Sequence, residues 1–263
     1  MSAYPALLAA GFRRWSTYRA ATAAGALTNS VFGAVKAAVL TGTVGSAGVV
    51  AGYDATQAAT FAWISQALLA PVGVFADDEV ARRVRTGDIA VDLARPVDPQ
   101  LAAWAQDLGR AAFMLLPRGL PPLLVGALLT GLSLPAGPLP HLLGLVALAL
   151  GVSVSFAARF LVNLTAFWLT EIRGVLLLYT VTATLLTGLT IPVSWFPGWL
   201  EALARATPFP SMLQTPADLF TGRLGGAEAA RAVVVQAGWL VGLLLAGRVL
   251  LAAGSRRLVV QGG

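Results

Sequence analysis

Residues 77–100 read DDEVARRVRTGDIAVDLARPVDPQ, with Arg82, Arg83, Arg85 and Arg95 standing beside six carboxylates. On both sides the chain turns apolar, in runs close to the roughly 20 residues a helix needs to cross a bilayer. A charged gap between two such runs is a loop joining membrane spans. Working outward from it, six apolar stretches appear, at about residues 20–40, 55–75, 112–134, 142–170, 174–191 and 232–253. The whole chain is 57% hydrophobic and only 11% charged, with mean hydropathy +0.77, which excludes an ordinary soluble core. Lipid leaves no partner for an open sheet edge, so the expected fold is all-α: a polytopic membrane protein with six transmembrane helices.

Orientation follows from the cations, because short loops rich in Lys and Arg stay cytoplasmic. Arg13, Arg14 and Arg19 precede the first stretch. Arg110 joins the four arginines of the second gap, Arg173 lies in the fourth gap, and Arg256 and Arg257 lie in the tail. The gaps 41–54 and 135–141 hold no Lys or Arg. Both termini are therefore expected inside. The fifth gap carries Arg205, Arg223 and Arg231, partly balanced by Glu201, Asp218 and Glu228; six spans place it outside. The net charge of +6 is thus largely an orientation signal, and no nucleic-acid partner is expected. The absence of cysteine excludes disulfides, thiolate metal sites and thiol catalysis.

Within residues 4–19, Leu8, Phe12 and Trp15 recur at i, i+4 and i+7, with Arg13 and Arg14 on another side. Two readings stand: an interfacial helix on the inner leaflet, or a prolongation of span one. Asn29 and Lys36 lie in the first span, and Lys36 either snorkels to the outer interface or belongs to a transport path. Arg159, with Asn163 one turn on, sits deeper in the fourth stretch, where interior pairing or a polar cavity competes with snorkelling. Pro117, Pro121 and Pro122 kink or delay the third span. Between spans five and six, Pro192, Pro197, Pro208, Pro210 and Pro216 divide the chain into short pieces. Trp195, Phe196 and Trp199 suit the headgroup level, a short amphipathic helix is expected over 199–206, and the pieces together suggest an outer cap that re-enters the membrane.

In the charged gap, Asp77, Asp78 and Glu79 stand at the start of a short helix and Arg82, Arg83 and Arg85 near its end, complementing the helix dipole. Val80 and Val84 share a face, and Gly87 is a natural stop. Beyond it, Ile89, Val91 and Leu93 alternate with Ala90, Asp92 and Ala94 before the corner Arg95–Pro99. No G-x-x-x-x-G-K-[ST] phosphate loop occurs, so the chain has no ATPase motif of its own.

FRRWSTYRAA (12–21) leading into ALTNSVFG (26–33), RTGDIAVDLARPVDPQ (85–100) and GLTIPVSWFPGWLEALARATPFPSMLQTPADLFTG (188–222) together resemble the membrane subunits of ABC-2-type exporters, in particular the short six-span bacterial and actinobacterial permeases. The resemblance implies a type V exporter-like permease fold. Residues 1–19 would be a cytoplasmic interfacial helix and 20–253 a single transmembrane domain. Within that domain 76–100 would hold the coupling helix and 192–228 the re-entrant outer region, with 254–263 a cytoplasmic tail. It implies a pair of permeases, identical or sister subunits, with two ABC ATPase subunits. Those subunits would bind ATP and Mg, this chain holding no cofactor or metal and no catalytic residue. Docking and coupling fall on Phe12, Arg13, Arg14 and Trp15 and on Asp77, Asp78, Glu79, Val80, Arg82, Arg83, Val84, Arg85 and Gly87. Asn29, Phe32, Lys36, Gln66 and Thr187 are the nominated path-lining residues. The implied setting is the bacterial inner membrane, and the implied cargo a lipophilic small molecule or lipid moved outward.

Two rivals come from other classes. An ATP-independent carrier or channel would use Lys36 and Arg159 as substrate or ion sites. An intramembrane enzyme would need more than the sole histidine, His141, set in a loop with neither H-E-x-x-H nor G-x-S-x-G around it.

Overall fold

A computed structural model describes residues 3–257, and all its named elements are helices. α1 (Tyr4–Ser16) and α2 (Arg19–Ala47) are separate, because Tyr18, with ψ 58°, leaves helical geometry between them. α1 is therefore not a prolongation of the first long helix. It lies along α6 (Pro99–Met114), and the approach is close enough to require glycine on both sides. A Cβ on Gly11 would come within 3.0 Å of the Gln106 backbone, and one on Gly109 within 3.0 Å of the Leu8 carbonyl oxygen. Phe12 then meets Phe113 edge-on, ring centroids 5.4 Å apart.

α3 (Ala55–Val72) opens with a capping box in which Asp54 accepts from the Gln57 amide and the Gln57 side chain accepts from the Asp54 amide. Every residue from Ala58 to Leu68 is buried, so α3 is the central helix of the bundle. Trp63, fully buried, fits between Gly33 of α2 and Gly126 of α7 (Leu120–Leu129) and donates from Nε1 to Thr130 Oγ1 at 3.0 Å.

Among the described residues, four helical segments are long and apolar enough to cross a membrane: Arg19–Gly45, Pro99–Leu129, Pro138–Phe167 and Gly226–Ser255. At about 1.5 Å per residue each exceeds the ~30 Å hydrocarbon core. α3 has 18 residues and α9 (Arg173–Leu186) has 14, about 27 and 21 Å by the same rise. Four of the six expected spans thus fall on full-length helices, and the other two expected segments form the shorter α3 and α9.

Several boundaries differ from expectation. The third span does not begin near 112: α6, a π-turn at Leu115–Gly119 and α7 run on continuously from Pro99. The π-turn absorbs Pro117, whose missing N–H would otherwise interrupt the ladder, so the prolines neither start nor end the helix. α8 (Pro138–Leu164) begins earlier than 142, which puts His141 in its first turn rather than in a loop, with Nε2 3.2 Å from the Pro135 carbonyl oxygen. The alternating segment after Gly87 forms α5 (Ile89–Ala94). Of the tail expected from 254, residues 258–263 lie outside the described residues.

After α9 the prolines cut the chain as expected, into α10 (Gly198–Arg205), α11 (Phe209–Met212) and α12 (Gln214–Phe220), before α13 (Gly226–Ser255). Trp195 and Phe196 turn inward rather than toward a headgroup layer. Phe196 is buried with Leu186, Val193 and Ala204, and the Trp195 ring stands 5.8 Å from Tyr53. Trp199 alone of the three is strongly exposed. Gln236 of α13 ties this region down, donating from Nε2 to the carbonyls of Ala147 and Ser211.

Candidate functional site

α4 (Glu79–Thr86) follows the C-terminus of α3 after a six-residue turn and a Gly87 C-cap at φ 82° ends it. Ala81 and Val84 are its buried face, and the Ala81 amide donates to Asn163 Oδ1 of α8 at 2.9 Å. The helix is seated by that face. Its charged residues divide by geometry. Arg83 Nε pairs with Asp92 Oδ2 of α5 at 2.6 Å. Arg85 meets Asp78 and Glu171 at 3.4 and 3.7 Å. Glu79 receives Arg14 Nη1 of α1 at 2.6 Å. Arg82 is exposed and makes no ion pair among the described residues. Of the three acids expected to cap the helix, only Glu79 lies in its first turn; Asp78, at the N-cap, makes no side-chain cap bond.

Asp77 uses both carboxylate oxygens: Oδ1 accepts from the Glu79 amide at 3.3 Å, at the start of α4. Its Oδ2 accepts from Arg159 Nη1 of α8 at 2.5 Å, while Arg159 Nη2 donates to Asp107 Oδ2 of α6 at 2.9 Å. Asp107 is also held by Arg110, from Nε at 2.7 Å. Arg110 in turn donates to the carbonyls of Ala70 and Pro71, the last turn of α3, at 2.7 and 3.1 Å. Arg159 thus neither snorkels nor stays free: two carboxylates neutralise it. Asn163 closes the arrangement, donating from Nδ2 to the Asp77 and Arg159 carbonyls. Gly73, the C-cap of α3, has φ 65° and faces the guanidinium groups of both Arg110 and Arg159, so a side chain there is opposed by conformation and by space. A cavity of about 800 Å³ reaches this cluster between α1, α4, α5, α6 and α8, with Phe75, Phe156 and Phe160 among its walls.

The opposite end of α3 carries a second polar cluster. Arg223 lies over the Tyr53 ring, 3.5 Å from its centroid, and donates to the carbonyls of Gly52 and Ala51. Gln214 Nε2 donates to Asp218 Oδ1 at 2.9 Å, and its Oε1 accepts from the Val193 amide. Burial pushes the Asp218 carboxyl up to about 6, against the opposing effects of the Gln214 hydrogen bond and the Arg223 charge.

The nominated path residues do not converge on the large cavity. Asn29 and Gln66 meet at the α2–α3 contact, where Asn29 Nδ2 donates to the Gln66 carbonyl at 3.5 Å. Lys36, instead of snorkelling, turns inward and donates from Nζ to Ser65 Oγ at 2.6 Å and to the Leu189 carbonyl at 2.5 Å, beside the Phe61 ring. Thr187 is fully buried and returns its hydroxyl to the Ala183 carbonyl. Phe32 is exposed, on the face of α2 that also carries Leu27, Val31, Val35 and Val39. On α1, Phe12, Trp15, Arg13 and Arg14 stay at the surface, Phe12 being partly covered by Phe113.

Asp107 was not nominated from sequence. The signal was available: between Pro99 and Leu129 the only charged residues are Asp107, Arg110 and Arg118, and an arginine buried in a neighbouring helix requires a carboxylate. A family model described as "ABC-2 family transporter protein" matches residues 38–262. No curated protein and no solved structure gives a significant match. The resembling segments 12–21 and 26–33 lie ahead of the matched residues, whereas 85–100 and 188–222 lie within them.

Proposed function

The chain belongs to the ABC-2 family of transporter proteins, a membrane transport component that works with an ABC ATPase, and from that premise we propose that it is the permease subunit of an ATP-driven exporter. The family match over residues 38–262 carries this reading. Two permeases, identical or sister chains, pair in the bacterial inner membrane with both termini cytoplasmic, and two ATPase subunits bind ATP and Mg beneath them. The six spans are α2, α3, α6–α7, α8, α9 and α13. The shortness of α9 is made up by the α10–α12 region, which packs on it and re-enters from outside.

α4 is the coupling helix. Its apolar face is fixed to α8, and its other face, with Arg82, is free to contact the ATPase. The surface of α1 around Arg13 and Trp15 completes the docking area. ATP-driven closure of the two ATPase subunits then moves α4 and shifts the permease between two conformations, which requires that the two bind the ATPase pair with different free energy. The path lies between the permeases, along α2 and α9, where Phe32 faces outward and Asn29, Lys36, Gln66 and Thr187 stand behind it, Gln66 on the central α3. An apolar surface of this kind suits a lipophilic cargo. An autonomous carrier built on Arg159 is disfavoured, since Asp77 and Asp107 already occupy that guanidinium.

The test is affinity purification of the tagged protein from its native membrane in mild detergent. Recovery of a stoichiometric ATPase subunit is the expected result and reports at once whether a sister permease is present. Repeated recovery of the chain alone would sink the proposal.

A further inference from the structure

The cluster under α4 contains more ionic contact than docking a short helix requires. Three of its side chains are nearly inaccessible: Arg159 is 7% exposed, Asp107 9% and Arg110 12%. Paired charges of this kind are costly to desolvate, and hydrophobic residues of equal volume often hold helices together at least as well. Adhesion alone therefore does not account for them. What an apolar contact lacks is directional reach. The planar guanidinium of Arg159 holds Asp77, on the turn leading into α4, with one nitrogen and Asp107, on α6, with another. Arg110 extends the chain from Asp107 to the last carbonyls of α3. A displacement of α4 thus meets three long helices through one continuous line of charge-assisted hydrogen bonds. The cavity of about 800 Å³ beside that line leaves room for it to rearrange.

We infer that Asp77, Arg159, Asp107 and Arg110 form the link that carries movement of α4 into α3, α6 and α8, with Arg159 as the positioning residue at its centre. The inference rests on the coupling reading given under Proposed function. It deepens that reading by naming the side chains through which the stroke passes inside the permease, as distinct from those the ATPase touches.

The chain has no cysteine, so a single Val49→Cys, at an exposed position in the α2–α3 turn, takes one environment-sensitive fluorophore at the end of the bundle remote from α4. The complex purified with its ATPase is then treated with a non-hydrolysable ATP analogue. In the otherwise unsubstituted chain the analogue changes the fluorescence. Arg159→Lys keeps the charge but loses the fork that holds two carboxylates at once, and Asp107→Asn keeps an acceptor but loses the ion pair. Both variants are expected to retain the ATPase subunit and its basal hydrolysis while the analogue-dependent change is lost. A change of undiminished size in both variants would overturn the inference and leave the coupling reading intact. Loss of the ATPase from both would assign the cluster to assembly and also overturn it. Failure of the unsubstituted chain to bring down any ATPase would instead remove the coupling reading, and the link with it.

Discussion

Arg159 of α8 donates to Asp107 of α6 at 2.9 Å, and both side chains are less than a tenth exposed. Removing Asp107 leaves Arg110 buried without its ion pair and Arg159 with only the half-exposed Asp77, and breaking a buried pair in this way costs about 3–5 kcal/mol. Asp107→Ala is therefore expected to lower the melting temperature of the detergent-solubilised protein by on the order of 10 °C. Asp77→Ala should lower it much less, because Asp77 is about half exposed and water replaces the lost partner. Equal losses from the two substitutions would contradict the buried geometry.

The elements and their class were legible in the sequence because apolar length and proline placement act locally. The Gly87 stop and the division of residues 192–222 into short helices follow from single residues with fixed backbone preferences. Partners distant in sequence were not legible. Lys36 lies near the end of an apolar run, and nothing local shows that Ser65 and the Leu189 carbonyl will draw its ammonium inward. The three acids at 77–79 read equally well as a helix cap. Only the position of Arg159, 82 residues away, adds to that cap a bond into α8. The start of the third long helix was misplaced because prolines were read as breakers, whereas a π-turn carries the helix past Pro117.

At the α1–α6 crossing the two backbones touch through Gly11 and Gly109, and backbone cannot rotate away as a side chain can. Gly11→Leu is expected to lift α1 from α6, at a cost of about 1–3 kcal/mol if the contact is forced to stay. Hydrogen exchange followed by mass spectrometry should show loss of amide protection over Tyr4–Ser16 with α3 unchanged. Retained protection of α1 in the variant would show that the crossing tolerates a side chain.

Asp218 titrates from an unfolded-state value of 3.8 to about 6 in the folded chain. Because the folded state holds the proton more tightly, this group favours the fold most at low pH, and the advantage is lost as pH rises through 6. Thermal stability of the α10–α12 region should therefore fall between about pH 4 and about pH 6. Asp218→Asn, which keeps an acceptor for Gln214 and carries no charge, should flatten that slope. An unaltered slope in the variant would place its origin in other groups.

Arg82 and Arg83 are neighbours in sequence with opposite surroundings, and this separates docking from folding. Arg83 is bound to Asp92 at 2.6 Å and joins α4 to α5; Arg82 is exposed and unpaired among the described residues. Charge reversal at Arg83 sets two negative groups against each other inside the α4–α5 unit, and its effect on ATPase binding would be confounded by local unfolding. Reversal at Arg82 changes only the outward face, where substitutions usually alter stability by less than about 0.5 kcal/mol. Arg82→Glu should therefore leave the melting temperature unchanged and reduce the ATPase recovered with the tagged permease, more so at low salt, where exposed charges are least screened. Arg83→Glu should lower both. If Arg82→Glu recovered the ATPase in full at every ionic strength, the outward face of α4 would not be a docking surface, and the contact would have to lie on α1, around Arg13 and Trp15.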